Sequence, residues 1–139
     1  MLSLHNIKKS IKGKKIVDDI SFDIQEGSIN GLLGPNGAGK TTTFYLIAGL
    51  IKLDQGHIHF DKQDISRLPM HRRSKMGIKY LPQEPSIFQN LTVYQNLLGL
   101  AEISFIDKVQ IDTFVERSIE EFGLSNILNL QGRQLSGGQ

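Results

Sequence analysis

Hydrophobic and polar residues alternate along the first part of the chain, a pattern typical of half-buried β-strands. The segment Met1–Ile11 predicts one strand, the polar run Lys12–Lys15 a turn, and the segment Ile16–Ile24 a second strand. Together they predict an antiparallel group of strands at the start of the fold. Further along, His57–Phe60 alternates in the same way and predicts another strand.

Two other segments predict short strands. Ser28–Leu33 contains three hydrophobic residues and leads into a glycine-rich turn, so we expect it to be a buried strand. Ile78–Leu81 leads into a loop that contains Pro82 and Pro85, which favour neither a helix nor the interior of a sheet.

Four segments predict helices. Thr42–Leu50 follows the glycine-rich turn, and Pro69 suits the first turn of a short helix that ends at Gly77. Thr92 and Gln95 have the spacing of a capping box, which predicts a helix that begins at Thr92.

The fourth predicted helix runs from about Asp107 to Phe122, with Gly123 suited to end it. Its hydrophobic residues form one stripe along the helix: Ile111, Phe114, Val115, Ile119 and Phe122. The helices after residue 91 therefore predict a mainly helical block.

Composition limits the classes of protein to consider. The chain has 139 residues, with 39% hydrophobic and 22% charged residues, which suits a globular domain. Its net charge of +2 is too small to indicate a nucleic-acid partner. It has no cysteine, no apolar run of the roughly 18 residues that span a membrane, and no signal-peptide pattern, so we expect a soluble intracellular protein.

The glycine-rich turn carries the strongest chemical signal. Residues 34–41 read Gly-Pro-Asn-Gly-Ala-Gly-Lys-Thr and fit G-x-x-x-x-G-K-[ST], a phosphate-binding loop. Glycines let the backbone wrap a phosphate, whose charge is attracted by amide N–H groups and by the helix N-terminus. In this interpretation Lys40 reaches the outer phosphates and the Thr41 hydroxyl ligates Mg²⁺.

The alternative is a structural turn with a surface lysine. The motif arises by chance in on the order of 1% of chains of this size, and its strand–loop–helix context favours a nucleoside triphosphate site. The predicted nucleotide-binding residues are Gly34, Pro35, Asn36, Gly37, Ala38, Gly39, Lys40, Thr41 and Thr42.

Weaker candidates have plain structural alternatives. The lysines near residues 8–15 and the basic residues of the helix after Pro69 are expected to be solvated, although the lysines could also form a basic lip near the nucleotide or near anionic headgroups. His57 and His59 are interpreted as an exposed strand face rather than a metal site. Ile87 and Phe88, after two prolines, either pack back onto the domain or contact a partner.

The chain ends in Leu-Ser-Gly-Gly-Gln at residues 135–139. A serine hydroxyl and two glycine amides can bind an anion, although the same residues can also form a simple turn.

The phosphate-binding loop, the segment Tyr80-Leu81-Pro82-Gln83 and the terminal LSGGQ together resemble the ATP-binding cassette (ABC) ATPases. The resemblance covers the whole chain. It implies an α/β P-loop core, an N-terminal antiparallel β subdomain and a helical subdomain. On this basis residues 1–90 hold the β subdomain and the core, and residues 91–139 hold the helical subdomain with the signature sequence.

The resemblance also implies ATP and Mg²⁺ as cofactors, with Gln83 as a second ligand of Mg²⁺ beside Thr41. A second copy, paired head to tail, would bring its signature residues Ser136, Gly137, Gly138 and Gln139 to the ATP. Membrane-embedded permease subunits are the other implied partners, so the protein is expected at the cytoplasmic face of the inner membrane, without nucleic acid.

Two departures from the family pattern matter. Ile11 stands where the family usually has an aromatic residue that stacks on adenine, a contact worth about 1–3 kcal/mol. The Walker B aspartate, the catalytic glutamate and the switch histidine are expected beyond residue 139. We therefore assign no catalytic residue within residues 1–139 and expect this stretch alone to be inactive.

A narrower resemblance covers residues 31–50, the Leu68-Pro69 region and residues 80–88, which are similar to the ATPase subunits that power lipopolysaccharide export. Its discriminating part is the run Gln83-Glu84-Pro85-Ser86-Ile87-Phe88. Two alternatives remain open. One is a soluble ABC ATPase of translation or DNA repair, and the other is a nucleotide-binding fragment with no activity of its own. A small P-loop kinase or GTPase is disfavoured by the signature sequence.

Overall fold

The computed structural model describes residues 1–84, 86–136 and 138. The chain forms two compact units, Met1–Tyr80 and Leu81–Gln139. It passes from the first unit to the second between Tyr80 and Leu81, earlier than the division predicted after residue 90. Residues 88–91 belong with the later helices because their backbone groups bond to Asn96, Gly132 and Arg133.

The first unit contains an antiparallel sheet and two helices. The strands are β1 (Leu2–Ile11), β2 (Lys14–Ile24), β3 (Gln55–Phe60) and β4 (Gln63–Asp64), in the order β2-β1-β3-β4. The helices are α1 (Lys40–Ala48) and α2 (Met70–Lys75). The predicted N-terminal strands, the strand at His57–Phe60 and both helices are confirmed.

Hydrophobic residues from the sheet and from α1 form the core of this unit. The fully buried members are Leu4, Ile7, Val17, Leu46, Ile58 and Ile65. Since α1 packs against the sheet through Leu46, the core fixes the helix that follows the glycine-rich loop.

The hairpin between β1 and β2 is closed by Lys12 and Gly13, both with left-handed backbone angles (φ 49° and 76°). Two such residues make the tight turn that best matches the twist of paired strands. The predicted polar turn is therefore confirmed and shortened to two residues.

The predicted strands at Ser28–Leu33 and Ile78–Leu81 are wrong for the described part of the chain. Both segments run without strand pairing, and the side chains of Ile29 and Leu33 are 103% and 92% exposed. A strand forms only where a neighbour supplies hydrogen-bond partners, and no described segment pairs with either of them.

The second unit contains α3 (Val93–Ser104), α4 (Lys108–Glu121) and a 3₁₀ turn (Gly132–Gln134). The predicted capping box is confirmed. The Thr92 hydroxyl accepts from the Gln95 amide at 3.1 Å, and the Gln95 side chain accepts from the Thr92 amide at 2.9 Å.

The hydrophobic stripe of α4 is confirmed except at its end. Val115 is buried, but Phe122 is 67% exposed. The helix ends at Glu121 and Phe122 leaves the helical conformation, so its side chain no longer follows the stripe. Gly123, with φ 62°, ends the helix as predicted.

The cap at Thr92 allows a direct test. We expect Thr92→Ala to destabilise the second unit by about 1 kcal/mol, because it removes the acceptor of the Gln95 amide. Thr92→Ser keeps the hydroxyl and is the matched control. Hydrogen exchange of the first turn of α3, alongside urea unfolding, measures the loss, and equal behaviour of the two variants would show that the cap contributes nothing.

Candidate functional site

The glycine-rich loop is held against β2 by the backbone of Gly39. This residue is buried and has a left-handed conformation (φ 86°), which disfavours any residue with a side chain. A Cβ atom added there would collide with the carbonyl oxygen of Ile16 and lie 3.3 Å from the Val17 side chain. Glycine is therefore required at position 39 for two independent reasons, and β2 fixes the end of the loop.

The loop leaves a group of backbone donors without protein partners. Ala38 donates to the Pro35 carbonyl at 3.2 Å and Thr43 to the Gly39 carbonyl at 2.8 Å. Within the described residues, other amides of the loop and of the first turn of α1 have no protein acceptor: Asn36, Gly37, Gly39, Lys40, Thr41 and Thr42.

Helix α1 also begins without a side-chain cap. Its first amides are therefore available to a ligand, and the positive end of the helix dipole lies beside them. Unpaired amides at a helix start, behind a glycine-rich turn, suit a phosphate group. The loop residues predicted from the sequence, Gly34 to Thr42, are thus consecutive residues around one helix start.

Lys40 folds back over the loop. Its ammonium donates to the carbonyls of Gly34 at 2.7 Å and Pro35 at 2.8 Å. The ammonium therefore sits at the edge of the same turn whose amides are unpaired. A positive charge and a set of N–H donors in one loop are complementary to a polyphosphate.

The Thr41 side chain offers an oxygen ligand that suits Mg²⁺. Thr41 is exposed, and its hydroxyl makes no hydrogen bond within the described residues. Mg²⁺ prefers oxygen ligands and keeps several of its waters, so one hydroxyl beside the phosphates suits it. Thr43 differs, since it is fully buried and its hydroxyl donates to the Gly39 carbonyl at 3.0 Å.

Ile11 is the last residue of β1 and is 44% exposed at the end of the hairpin. The same hairpin contacts the loop through Ile16 and Val17. Ile11 therefore lies in the same unit as the loop, while its contact with adenine stays a prediction.

The other predicted site residues belong to the second unit. Gln83 is exposed and has no side-chain hydrogen bond among the described residues, so its amide oxygen is open to a ligand. Ser136 and Gly138 are exposed at the end of the chain. Gly137 and Gln139 lie outside the described residues, as does Pro85. The grouping of these residues with the loop stays a prediction.

The Asn96 side chain holds the backbone of Phe88, a contact that sequence reasoning missed. The Asn96 side chain accepts from the Phe88 amide at 2.8 Å and donates to the Phe88 carbonyl at 3.1 Å. Ile87 packs against Gly132, whereas Phe88 is 67% exposed. Ile87 therefore lies against Gly132 while remaining 42% exposed, and Phe88 faces solvent.

The expectation that the basic residues of α2 are solvated is wrong for Arg73, which is 2% exposed. Its guanidinium donates to the carbonyls of Leu46 and Ile47, at the end of α1, and to those of Ser66 and Leu68. Burial lowers the pKa of the Arg73 guanidinium, and Asp64 opposes that shift. Arg73 has the same residue type as the exposed Arg72 beside it, so a carbonyl-binding role was not predictable from the sequence.

A second missed contact joins α1 to the segment before Gln83. The rings of Tyr45 and Tyr80 meet edge to face with centroids 6.0 Å apart. Desolvation, and after it the Tyr45 phenol, raises the pKa of Tyr80.

His57 and His59 share one face of β3 with a ring separation of 6.1 Å. His57 pairs with Asp64, whose pKa is lowered to about 2, chiefly by hydrogen bonds from Ser66. The Nδ1 atom of His59 is buried without a partner among the described residues, and no group of three potential metal ligands is found in the described ranges. These histidines are therefore not assigned to a metal site.

No helix in the described residues is both long enough and apolar enough to cross a membrane.

Comparison with known families identifies the family of the chain. The model of the ABC transporter family matches residues 17–139, which is most of the sequence. The chain therefore belongs to the ABC transporter family of ATP-binding cassettes.

Curated relatives include the lipopolysaccharide export system ATP-binding protein LptB of Haemophilus influenzae, which is 50% identical over 140 residues. LptB of Escherichia coli K12 is 45% identical over 139 residues. Each alignment covers 99–100% of this chain but only 58% of the relative, so the chain spans little more than half of their length.

Solved structures agree in fold. A component of an ABC transporter complex from Clostridium perfringens superimposes with a TM-score of 0.84 at 26% identity, over 99% of this chain and 56% of that one. An ATP-binding cassette in its ADP conformation gives a TM-score of 0.81 at 28% identity, over 99% of this chain and 59% of that one. The predicted α/β P-loop class, with an antiparallel β part and a helical part, is confirmed.

The close approach at Gly39 predicts a difference between two glycines of the loop. Gly37→Ala should cost about 1–2 kcal/mol, because its φ of 82° is strained for alanine although open space surrounds a Cβ. Gly39→Ala should cost more, because it adds a collision with the Ile16 carbonyl to the same strain. Urea unfolding of both variants measures the difference, and equal losses would contradict the packing described here.

Proposed function

We propose that the chain is the nucleotide-binding part of an ABC transporter ATPase. The observation that carries the proposal is the group of unpaired amides at the start of α1, with the Lys40 ammonium on the same loop. The β- and γ-phosphates of ATP bind these amides and draw the Lys40 ammonium from the Gly34 and Pro35 carbonyls. Ile11, at the end of the hairpin, lies beside the adenine.

Mg²⁺ neutralises charge on the phosphates when it is bound. The residues of this chain that hold it are Thr41, through its hydroxyl, and Gln83, through its amide oxygen. Both offer the neutral oxygen donors that accompany phosphate oxygens around Mg²⁺.

Hydrolysis belongs to the whole protein. Phosphoryl transfer depends on charge neutralisation and on a positioned water. Lys40, Thr41 and Gln83 serve the first of these requirements. We propose that the residues that position the water lie in the rest of the protein, and that residues 1–139 alone bind ATP without turning it over.

Assembly completes the site. A second copy, paired head to tail, places its Ser136, Gly137, Gly138 and Gln139 against the ATP held by the loop of the first. The Ser136 hydroxyl and the backbone amides of the glycines supply donors of the kind that suits a phosphate.

The transported substrate is proposed to be lipopolysaccharide. The support is the identity of 45–50% to proteins described as ATP-binding proteins of the lipopolysaccharide export system. The protein would then act at the cytoplasmic face of the inner membrane, bound to permease subunits. Phe88 is exposed on a backbone fixed by Asn96, three residues away from a stiff proline, and is the proposed contact with those subunits.

The phosphate site is tested with Lys40. We expect Lys40→Ala to weaken Mg-ATP binding roughly tenfold or more, because a charge-assisted contact is worth about 1.5–3 kcal/mol. Lys52→Ala, which removes an exposed lysine of the same unit, is the control. Calorimetry with Mg-ATP measures both, and equal affinities of Lys40→Ala and the unmodified protein would overturn the proposed site.

The partner contact is tested with two aromatic residues of equal exposure. Phe88 and Phe122 are both 67% exposed, in the same unit. We expect Phe88→Ala in the full-length protein to weaken assembly with the membrane subunits by about 1–3 kcal/mol, as for an aromatic anchor. Phe122→Ala should leave assembly unchanged.

Co-purification of the membrane subunits measures assembly, and calorimetry checks that ATP affinity is retained. A Phe88→Ala protein that assembles normally but unfolds more readily would show that Phe88 is a packing residue instead.

A further inference from the structure

We propose that Arg73 is a positioning residue of the nucleotide site, which fixes the segment leading to Gln83 against helix α1. The proposal rests on the proposed function only in taking Gln83 as a ligand of Mg²⁺. The contacts of Arg73 itself are independent of that assignment.

Arg73 is a buried cation whose partners are backbone carbonyls. Its Nη1 donates to Leu46 at 2.6 Å and to Ile47 at 2.8 Å, and its Nε donates to Leu68 at 2.8 Å. Its Nη2 donates to Ser66 at 3.2 Å. No carboxylate is in salt-bridge contact with it among the described residues, so the charge is compensated by carbonyl dipoles.

Two of these carbonyls belong to the last turn of α1. That turn is the negative end of the helix dipole, where a cation is stabilising. Helix α1 has only nine residues, and at its end the amides of Gly49 and Leu50 donate to the carbonyls of Leu46 and Tyr45. Arg73 adds its own contacts to this last turn, and Gly49 leaves room for them, since a Cβ at Gly49 would lie 2.8 Å from the Arg73 Nε.

The same residue holds the next segment of the chain. The Arg73 carbonyl accepts from the amides of Met76 and Ile78, each at 3.1 Å. Tyr80 then reaches Tyr45 of α1, with ring centroids 6.0 Å apart. The segment from Arg73 to Tyr80 is thus attached to α1 at both of its ends.

Gln83 follows Tyr80 by three residues, two of which are Leu81 and the stiff Pro82. The start of α1 carries the proposed phosphate-binding amides. Its end is bound through Arg73 to the segment that leads to Gln83. Arg73 therefore fixes, within the first unit, the backbone that leads to Gln83, the proposed second ligand of Mg²⁺ beside Thr41.

A planar guanidinium is required for this arrangement. Its N–H groups form a fixed fork that reaches four carbonyls on two segments, whereas a lysine ammonium is a single point with three donors. Arg73→Lys keeps the charge and loses the fork, so it separates geometry from charge. Arg72→Lys, at an exposed position of the same helix, is the matched control.

The test compares ATP affinity with and without Mg²⁺ in the full-length protein. We expect Arg73→Lys to retain binding of ATP in EDTA, which uses the loop amides and Lys40. Mg²⁺ raises the affinity of the unmodified protein for ATP, and in Arg73→Lys this increase should be roughly tenfold smaller. Hydrogen exchange at residues 78–84 should rise in the same variant, and Arg72→Lys should change neither quantity.

A second variant keeps the test independent of folding losses at Arg73. Tyr80→Ala cuts the other attachment of the segment, so it should reproduce the loss of the Mg²⁺ gain. Combined with Arg73→Lys, it should add little further loss, because both act on one segment.

If Arg73→Lys lowers only the stability, leaving the Mg²⁺ gain and the exchange of residues 78–84 unchanged, Arg73 is a packing residue and the proposal is wrong. If the proposed function is wrong, the result is different: the unmodified protein will show no ATP binding that depends on Lys40. The exchange measurement still decides the attachment in that case.

Discussion

The contact between Gly39 and the carbonyl of Ile16 is the constraint on which the rest of the site depends. It brings the backbone of the loop so close to β2 that no side chain fits between them. The antiparallel hairpin thereby fixes the start of α1, while the core residue Leu46 fixes its body. The amides at this helix start have no protein acceptor among the described residues, and they carry the binding chemistry proposed above.

The end of α1 is fixed by an unrelated device. Arg73 places a buried positive charge against the carbonyls of Leu46 and Ile47, at the negative end of the helix dipole. An anion at the start and a cation at the end both stabilise the same nine-residue helix. The protein already has the cation at the end of α1, and a bound nucleotide would add the anion at its start.

Local signals in the sequence predicted local structure well. The capping box at Thr92, the left-handed Gly123 and the helix that begins near Lys40 depend on neighbouring residues only, and the structure confirms them. The segment Ser28–Leu33 was predicted wrongly because a strand requires a partner, which its own residues do not reveal.

Long-range polar contacts were equally hidden from the sequence. Arg73 has the same residue type as the exposed Arg72 beside it, and only the arrangement of distant carbonyls distinguishes the two. Asn96 likewise binds the backbone of Phe88 across eight positions without any motif. The candidate site could thus be predicted as a loop, but its supports could not.

The most direct test of the account follows the unpaired amides themselves. Titration of the ¹⁵N-labelled protein with Mg-ATP should shift the amide resonances of residues 36, 37 and 39–42, as expected when N–H groups bond to phosphate oxygens. The amides of Ala38 and Thr43, already bonded to Pro35 and Gly39, should move much less. Shifts of similar size throughout the loop, or none at the unpaired amides, would contradict the view that this helix start binds the phosphates.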